Sequence, residues 1–453
     1  MERIKLSEHF NYRKLFRFVL PSVIMMAFVS IYGIVDGFFV SNFAGEIPFA
    51  ALNLIFPMIM ILGSVGFMLG TGGNAVVAKT LGEGDREKAN KIFSMIVYTA
   101  VVFGVILSLI GIAIAPTVAR LFAETEKEMS AENKEELIRC CTLYARIILS
   151  VLPAFMLQNA FQGFFVTAEK PRLGLYVTVL AGVGNIVFDA LFVAVFKWGL
   201  AGAAAATALN QVIGGIIPII YFSRKNDSLL QLTKTRFMGK TLLTVCFNGM
   251  SELITNISMS IVTILYNAQL MRLVGIAGVS AYGIMQYLGF IFIAMFLGYS
   301  VGSAPIIGFH YGAQNHGELK NIFKKSLIIT TVAGVIMTLI GVLFAMPLSS
   351  IFVHYDPELL DITVAGMRIF AFSFLTAGHN IFASAFFTAL SNGGVSLLIS
   401  FARTFVCQVI AVLILPIFWG VNGVWASLVV AEVVTLMLCI VLFVLFRKRY
   451  QYA

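Results

Sequence analysis

Charge is scarce in this chain. Only 12% of its 453 residues are Asp, Glu, Lys or Arg, about half the share found in soluble domains. With 59% hydrophobic residues, the composition excludes a soluble globular protein and reads as an integral membrane protein. Cysteine is sparse as well. Cys140, Cys141, Cys246, Cys407 and Cys439 are the whole set, and they show no metal or redox spacing. Cys140 and Cys141 are adjacent, a poor geometry for a structural disulfide, so all five read as small apolar residues. The histidines (His9, His310, His316, His354 and His379) are dispersed and give no metal constellation. No nucleophile–base arrangement is visible, so the chain does not read as an enzyme, and no cofactor is expected. Gly73–Thr80 has the outline of a phosphate-binding loop, but Ala78 replaces its second glycine and no strand precedes it. Any transport would therefore draw on an ion gradient. No cleavable signal peptide is evident either: residues 1–17 are polar and basic, and the apolar run after them is too long for a signal.

What is present is a series of apolar runs, each long enough to cross a bilayer at about 20 residues. They fall at roughly 15–40, 48–76, 92–122, 137–163, 171–196, 199–222, 241–271, 278–308, 323–353, 360–388, 394–417 and 421–446. The expected fold is an all-α integral membrane protein with twelve transmembrane helices. Lys and Arg set the orientation. The N-terminus (Arg3, Lys5, Arg13, Lys14, Arg17), the even-numbered turns and the C-terminus (Arg447, Lys448, Arg449) hold 22 of the 31 basic residues. The opposite loops carry Glu124, Glu126, Glu128, Glu132, Glu135 and Glu136, then Asp356, Glu358 and Asp361. Both termini are expected in the cytoplasm of a multi-pass protein surrounded by lipid. The net charge of +9 is mostly this topology signal, and nucleic-acid binding would need a basic folded module that the chain lacks.

The chain also nearly repeats itself. Gly82-Glu83-Gly84-Asp85-Arg86-Glu87-Lys88-Ala89-Asn90-Lys91-Ile92-Phe93 returns as Gly312-Ala313-Gln314-Asn315-His316-Gly317-Glu318-Leu319-Lys320-Asn321-Ile322-Phe323. Trp198-Gly199-Leu200-Ala201-Gly202 returns as Trp419-Gly420-Val421-Asn422-Gly423. Two similar halves in one direction imply two pseudo-symmetric six-helix bundles related by an axis along the membrane normal, the architecture of alternating access. The expected division is an N-terminal lobe at 1–222, a cytoplasmic linker at 223–240 and a C-terminal lobe at 241–453.

Four acids fall inside the spans: Asp36, Asp189, Glu252 and Glu432. An intramembrane acid is disfavoured unless it faces a cavity or a partner. Counting about 1.5 Å per residue from the outer span ends puts Asp36, Asp189 and Thr207 at similar depth. Asn185 lies one turn from Asp189 on the same face. Three spans thus deliver two carboxylates, an amide and a hydroxyl to one layer. Such a layer has oxygen ligands for a monovalent cation, and its paired carboxylates favour proton uptake. The plainer reading is a polar pin between helices, but two acids without a base make a costly pin. Aligned on the echoes, Asp36 falls on Tyr266, Asn185 on Val406 and Asp189 on Ile410, so the second half lacks this layer. Glu252, whose counterpart is Ser22, either lines a central cavity or forms a second cation site. Arg403 and Glu432 read as a structural ion pair, and Arg146 has no nameable partner. Met25, Met26, Phe28, Met58, Met60, Phe155, Met156, Met259 and Met285 are candidates for an adaptable apolar cavity.

The stretch Gly184-Asn185-Ile186-Val187-Phe188-Asp189-Ala190-Leu191-Phe192, with Lys197-Trp198-Gly199-Leu200-Ala201-Gly202-Ala203-Ala204-Ala205-Ala206-Thr207, resembles the multidrug and toxic compound extrusion (MATE) family. Asp36 and the glycine-rich second span agree, and the resemblance covers essentially the whole chain. Ser251-Glu252-Leu253-Ile254-Thr255-Asn256 is similar to a bacterial multidrug exporter branch. The resemblance implies a secondary active antiporter in the bacterial cytoplasmic membrane, exporting lipophilic organic cations in exchange for H+ or Na+, as a monomer. It matches Asp36, Asn185, Asp189 and Thr207 to a cation-binding and coupling site, with Na+ possible at Asp36 and Asp189. It matches Glu252 to an acid of a sodium-coupled branch. That branch has a further acid in its tenth helix, where this chain has Ala377-Gly378-His379-Asn380, which favours protons. The alternative function is a lipid-linked precursor flippase of a related superfamily, which should carry cavity arginines. Only Arg146 and Arg403 lie deep in the spans.

Overall fold

The computed structural model describes residues 4–125, 130–353 and 356–453. Arg3, Glu126, Glu128 and His354 lie outside them. Every regular element among the described residues is helical. The first half contains α1 (Tyr12–Phe43), α2 (Glu46–Gly82), α3 (Arg86–Thr125), α4 (Ala131–Ser150), α5 (Leu152–Thr167), α6 (Pro171–Asp189) and α7 (Gly199–Ser223). The second contains α8 (Gly239–Leu273), α9 (Ile276–Gly312), α10 (His316–Leu343), α11 (Ala345–Val353), α12 (Pro357–Phe370), α13 (Phe374–Ala389), α14 (Gly393–Phe401) and α15 (Cys407–Tyr450).

Ten helices or runs of helix are long and apolar enough to cross a membrane, and the pair α4–α5, bent by 57°, makes an eleventh. The run Gly393–Tyr450 has 58 residues, roughly 87 Å of helix, far more than one crossing needs. It is broken at Gly420, whose φ of 54° and ψ of −132° lie outside the helical region. The run therefore holds the eleventh and twelfth spans. The ninth is shorter than 323–353, because Phe344 separates α10 from α11. In α4–α5 the break falls at Val151 (φ −107°, ψ 14°), just before Pro153, which cannot donate to the preceding turn.

The sequence echo is also an echo of backbone geometry. Left-handed residues occur at matching places in both halves: Gly45 (φ 102°) with Gly275 (80°), Gly84 (87°) with Gln314 (54°), Glu169 with Ser391 (both 58°), and Gly199 (57°) with Gly420 (54°). In the long repeat, the residue after each left-handed position caps the next helix. Asp85 Oδ1 accepts from the Lys88 amide at 2.9 Å, and Asn315 Oδ1 accepts from the Glu318 amide at 3.1 Å, each satisfying a free first-turn donor.

The described chain forms two compact units. One comprises Phe28–Val77 and Asp85–Gly249; the other comprises Met1–Ala27, Ala78–Gly84 and Met250–Ala453. In the first, Ile55 and Ile59 of α2 pack with Ala115 and Ala119 of α3, Leu137 and Ile148 of α4, and Ala203 of α7. In the second, Tyr266 of α8 packs with Met285 and Phe292 of α9, Met367 and Phe370 of α12, and Trp425 of α15. Outward-facing surfaces are apolar: Leu109 is 65% exposed, Ile264 67% and Ile417 76%. Apolar exposure of that extent calls for a lipid surround.

Each unit also holds a segment that leads into the opposite half of the sequence. In the first, residues after α7 lie on α3. Arg86 donates to the Ser228 carbonyl at 2.7 Å and the Leu229 carbonyl at 3.0 Å, and Asn90 Oδ1 accepts from the Gln231 amide at 3.0 Å. In the second, residues before α1 lie on α10. Glu318 accepts from the His9 ring at 2.6 Å and from the Phe10 amide at 2.8 Å. Asn321 and Lys325 donate to the Phe10 carbonyl at 2.9 and 2.6 Å.

Candidate functional site

Asp36 on α1, Asn185 and Asp189 on α6, and Thr207 on α7 meet inside the first unit. Asn185 Nδ2 donates to Asp189 Oδ2 at 3.1 Å. Thr207 Oγ1 donates to Asp36 Oδ1 at 3.4 Å. Asp189 and Asn185 are almost wholly buried, at 0% and 1% exposure, while Asp36 and Thr207 are half-buried. The two carboxyl groups are in hydrogen-bonding contact with each other. Both are acceptors when ionised, so that contact becomes a bond only when a proton sits between them. In line with this, Asp189 Oδ1 is buried and has no donor among the described residues.

Two further side chains join the layer, and a third lies within reach of its charges. Tyr32, one turn before Asp36, is in side-chain hydrogen-bonding contact with Asn210, one turn beyond Thr207. Asn210 Oδ1 is buried and likewise lacks a donor. Tyr144 of α4 feels the charges of both Asp36 and Asp189. Sequence reasoning missed all three. Tyr32 and Asn210 share helical faces with residues it did identify, so the i, i+3 and i, i+4 spacing was the available signal. Tyr144 carried none. Immediately after Asp189 the helix widens into a π-helical turn at Ala190–Val195, a local distortion common at functional sites.

No lysine or arginine forms an ion pair with either aspartate among the described residues. Two carboxylates in contact repel one another unless something positive separates them. The layer offers two carboxyl groups, the Asn210 carbonyl oxygen and the Thr207 hydroxyl. It can hold one proton between the acids or one small monovalent cation among the oxygens.

The remaining sequence candidates lie in the second unit. Arg403 Nε donates to Glu432 Oε1 at 2.8 Å, and Asn380 Nδ2 donates to Glu432 Oε2 at 2.6 Å. Glu252, half-buried on α8, feels the charge of Arg403. Arg146 stands on an exposed face of α4, which removes it as a buried anion-binding group. Met25, Met156 and Met285 are packed into the cores at 1%, 0% and 0% exposure. They are core residues and not cavity-lining ones: the Met285 sulfur, for instance, is pressed against Gly366.

Comparison with known proteins agrees with this architecture. The MatE family pattern matches residues 21–191 and 253–414. The chain is 24% identical over 442 residues to the multidrug export protein MepA of Staphylococcus haemolyticus, covering 97% of this chain and 94% of that one. It is 23% identical over 450 residues to MepA of Staphylococcus aureus strain NCTC 8325, with the same coverage. Its fold matches a crystal structure of MATE in complex with MaL6 at a TM-score of 0.90, with 22% identity and 97% of each chain covered. It also matches an outward-facing multidrug resistance MATE family transporter of the MOP superfamily at a TM-score of 0.87, with 22% identity and coverage of 97% and 96%.

Proposed function

The chain belongs to the MatE family of multidrug transporters, and from that footing we propose that it is a secondary active antiporter exporting lipophilic organic cations in exchange for H+ or Na+. The observation that carries the reading is the contact between the Asp36 and Asp189 carboxyls, with Asp189 Oδ1 left unpartnered. An empty layer holds two repelling charges; a loaded one holds a proton or Na+ and pulls α1 towards α6 and α7. Loading therefore changes the packing of α1, the helix that contributes residues to both compact units. Antiport requires that ion and substrate favour opposite states. Cationic substrates suit a chain whose intramembrane ionisable groups are mainly acids, with aromatic faces available for cation–π contact. The moving bodies of this scheme are two lobes built mainly from 1–222 and 241–453, with residues 1–27 and 78–84 going with the second and 241–249 with the first, and the 223–240 segment leads from one half of the sequence to the other. The protein works as a monomer in the bacterial cytoplasmic membrane, and both of its termini lie inside, an orientation that the distribution of Lys and Arg supports.

The test is transport of a fluorescent organic cation by the purified protein in proteoliposomes, under H+ and Na+ gradients imposed separately. Accumulation driven by one or both gradients is expected. Equilibration that ignores both gradients would reject the antiport reading.

A further inference from the structure

The second unit contains an acid layer of its own, assembled from different helices. Glu432 of α15 is 2% exposed. Arg403 and Asn380 bond its two carboxylate oxygens. Two more oxygens of this unit are buried without a donor among the described residues: Asn380 Oδ1, on a residue that is 0% exposed, and the Tyr266 hydroxyl, on a residue that is 3% exposed. Tyr266 feels the charge of Glu432. Glu252 feels the charge of Arg403, and its carboxylate makes no hydrogen bond of its own among the described residues. Arg403 therefore bonds one buried carboxylate and its charge reaches a second, while two buried oxygens of the same unit are left without a donor among the described residues.

The register of the repeat sharpens the comparison. Tyr266 stands where the first half has Asp36. Carried along the Trp198/Trp419 echo, Arg403 stands where the first half has Gly182, and Glu432 where it has Gln211. A Cβ at Gly182 would press on Phe28 and Tyr32, so the first half fills that space with rings and leaves its acids without a built-in cation. The second half fills it with a positive charge that cannot leave.

We infer that Arg403 is a tethered cation occupying a monovalent-cation site formed by Glu252, Glu432, Asn380 Oδ1 and the Tyr266 hydroxyl, so that this half takes up no coupling ion. Removing the guanidinium opens the site. Arg403 then sets the number of ions exchanged per cycle, because it confines ion loading to Asp36 and Asp189. This inference rests on the reading of the first layer as the ion-loading one.

The experiment is thermal unfolding of the purified full chain in detergent, with Na+ titrated against choline at constant ionic strength. It uses Arg403→Met in a background of Asp36→Asn and Asp189→Asn, which silences the first layer. A Na+-dependent rise in Tm is expected there, absent from the background alone and abolished by adding Glu252→Gln. No gain of Na+ response in the Arg403→Met protein overturns the inference. Because Arg403→Met strands a buried carboxylate and can impair folding, a second series keeps the arginine. Glu252→Gln and Glu432→Gln each leave the guanidinium one carboxylate, whereas the double variant leaves none. The double variant should lose more Tm than the sum of the singles; simple additivity overturns shared ownership of Arg403. Neither readout involves transport, so failure here is distinct from failure of dye export to depend on Asp36.

Discussion

Gly82 and Gly312, equivalent residues of the long repeat, pack reciprocally where α2 crosses α9. A Cβ on Gly82 would collide with the Phe309 carbonyl, and one on Gly312 with the Lys79 carbonyl. Backbone cannot retreat as a flexible side chain can. Gly312→Ala is therefore expected to destabilise the protein by about 1–3 kcal/mol, the usual range for overpacking, and Gly82→Ala likewise. Gly84→Ala meets nothing within 4 Å but carries a φ of 87°, so its effect should be backbone strain of about 1 kcal/mol. Detergent melting curves of the three variants check the order.

Asp36→Asn and Asp189→Asn should each abolish ion-driven efflux while leaving expression and melting temperature near those of the parent. Each change removes one of the two charges whose repulsion drives loading. Whole-cell dye efflux, normalised to membrane-inserted protein, is the measurement; unchanged efflux in either variant rejects the layer as the coupling site.

Asn210→Ala removes a buried, donor-free oxygen from that layer together with the partner of Tyr32. The expected result is an apparent ion affinity weakened about tenfold, the scale of one hydrogen bond to a charged group, with maximal efflux largely kept. Efflux rates at stepped Na+ and H+ concentrations separate the two parameters. An unchanged midpoint would show that Asn210 only packs.

Glu318→Ala should free the segment that precedes α1. Glu318 is 7% exposed and accepts from the His9 ring, the Phe10 amide and the Asn321 side chain. Losing such an acceptor strands a buried amide. Amide exchange at Phe10 is expected to accelerate by about tenfold or more, with exchange in α4 unchanged as the internal control. Glu318→Gln, which keeps one acceptor oxygen, should fall between.

Hydropathy located the spans well because lipid exposure demands long apolar runs, and every predicted span finds a helix or a bent pair. It did end one span at 417 and begin the next at 421, on either side of the break at Gly420, but it could not separate α10 from α11, which is settled by local backbone geometry within continuous apolar sequence. Depth counting brought Asp36, Asn185, Asp189 and Thr207 to one layer, where the structure also brings them together. Tyr144 was invisible because a tyrosine inside an apolar helix has no signature until its neighbours are known. The pairing of Arg403 with Glu432 could be read from complementary charge at similar depth, but the nearness of Glu252 depends on the fold of a distant helix. The docking of His9 and Phe10 on α10 joins positions more than 300 residues apart, beyond the reach of any local pattern.

Residues 1–27 are counted with the unit built mainly from the second half, and residues up to Gly249 with the unit built mainly from the first. The polypeptide is thus interlaced: each half lends its opening stretch to the other. A gene cut between the repeats would yield two fragments, each lacking a strap and each carrying one that belongs elsewhere. Such fragments should be unstable apart and recover only when synthesised side by side.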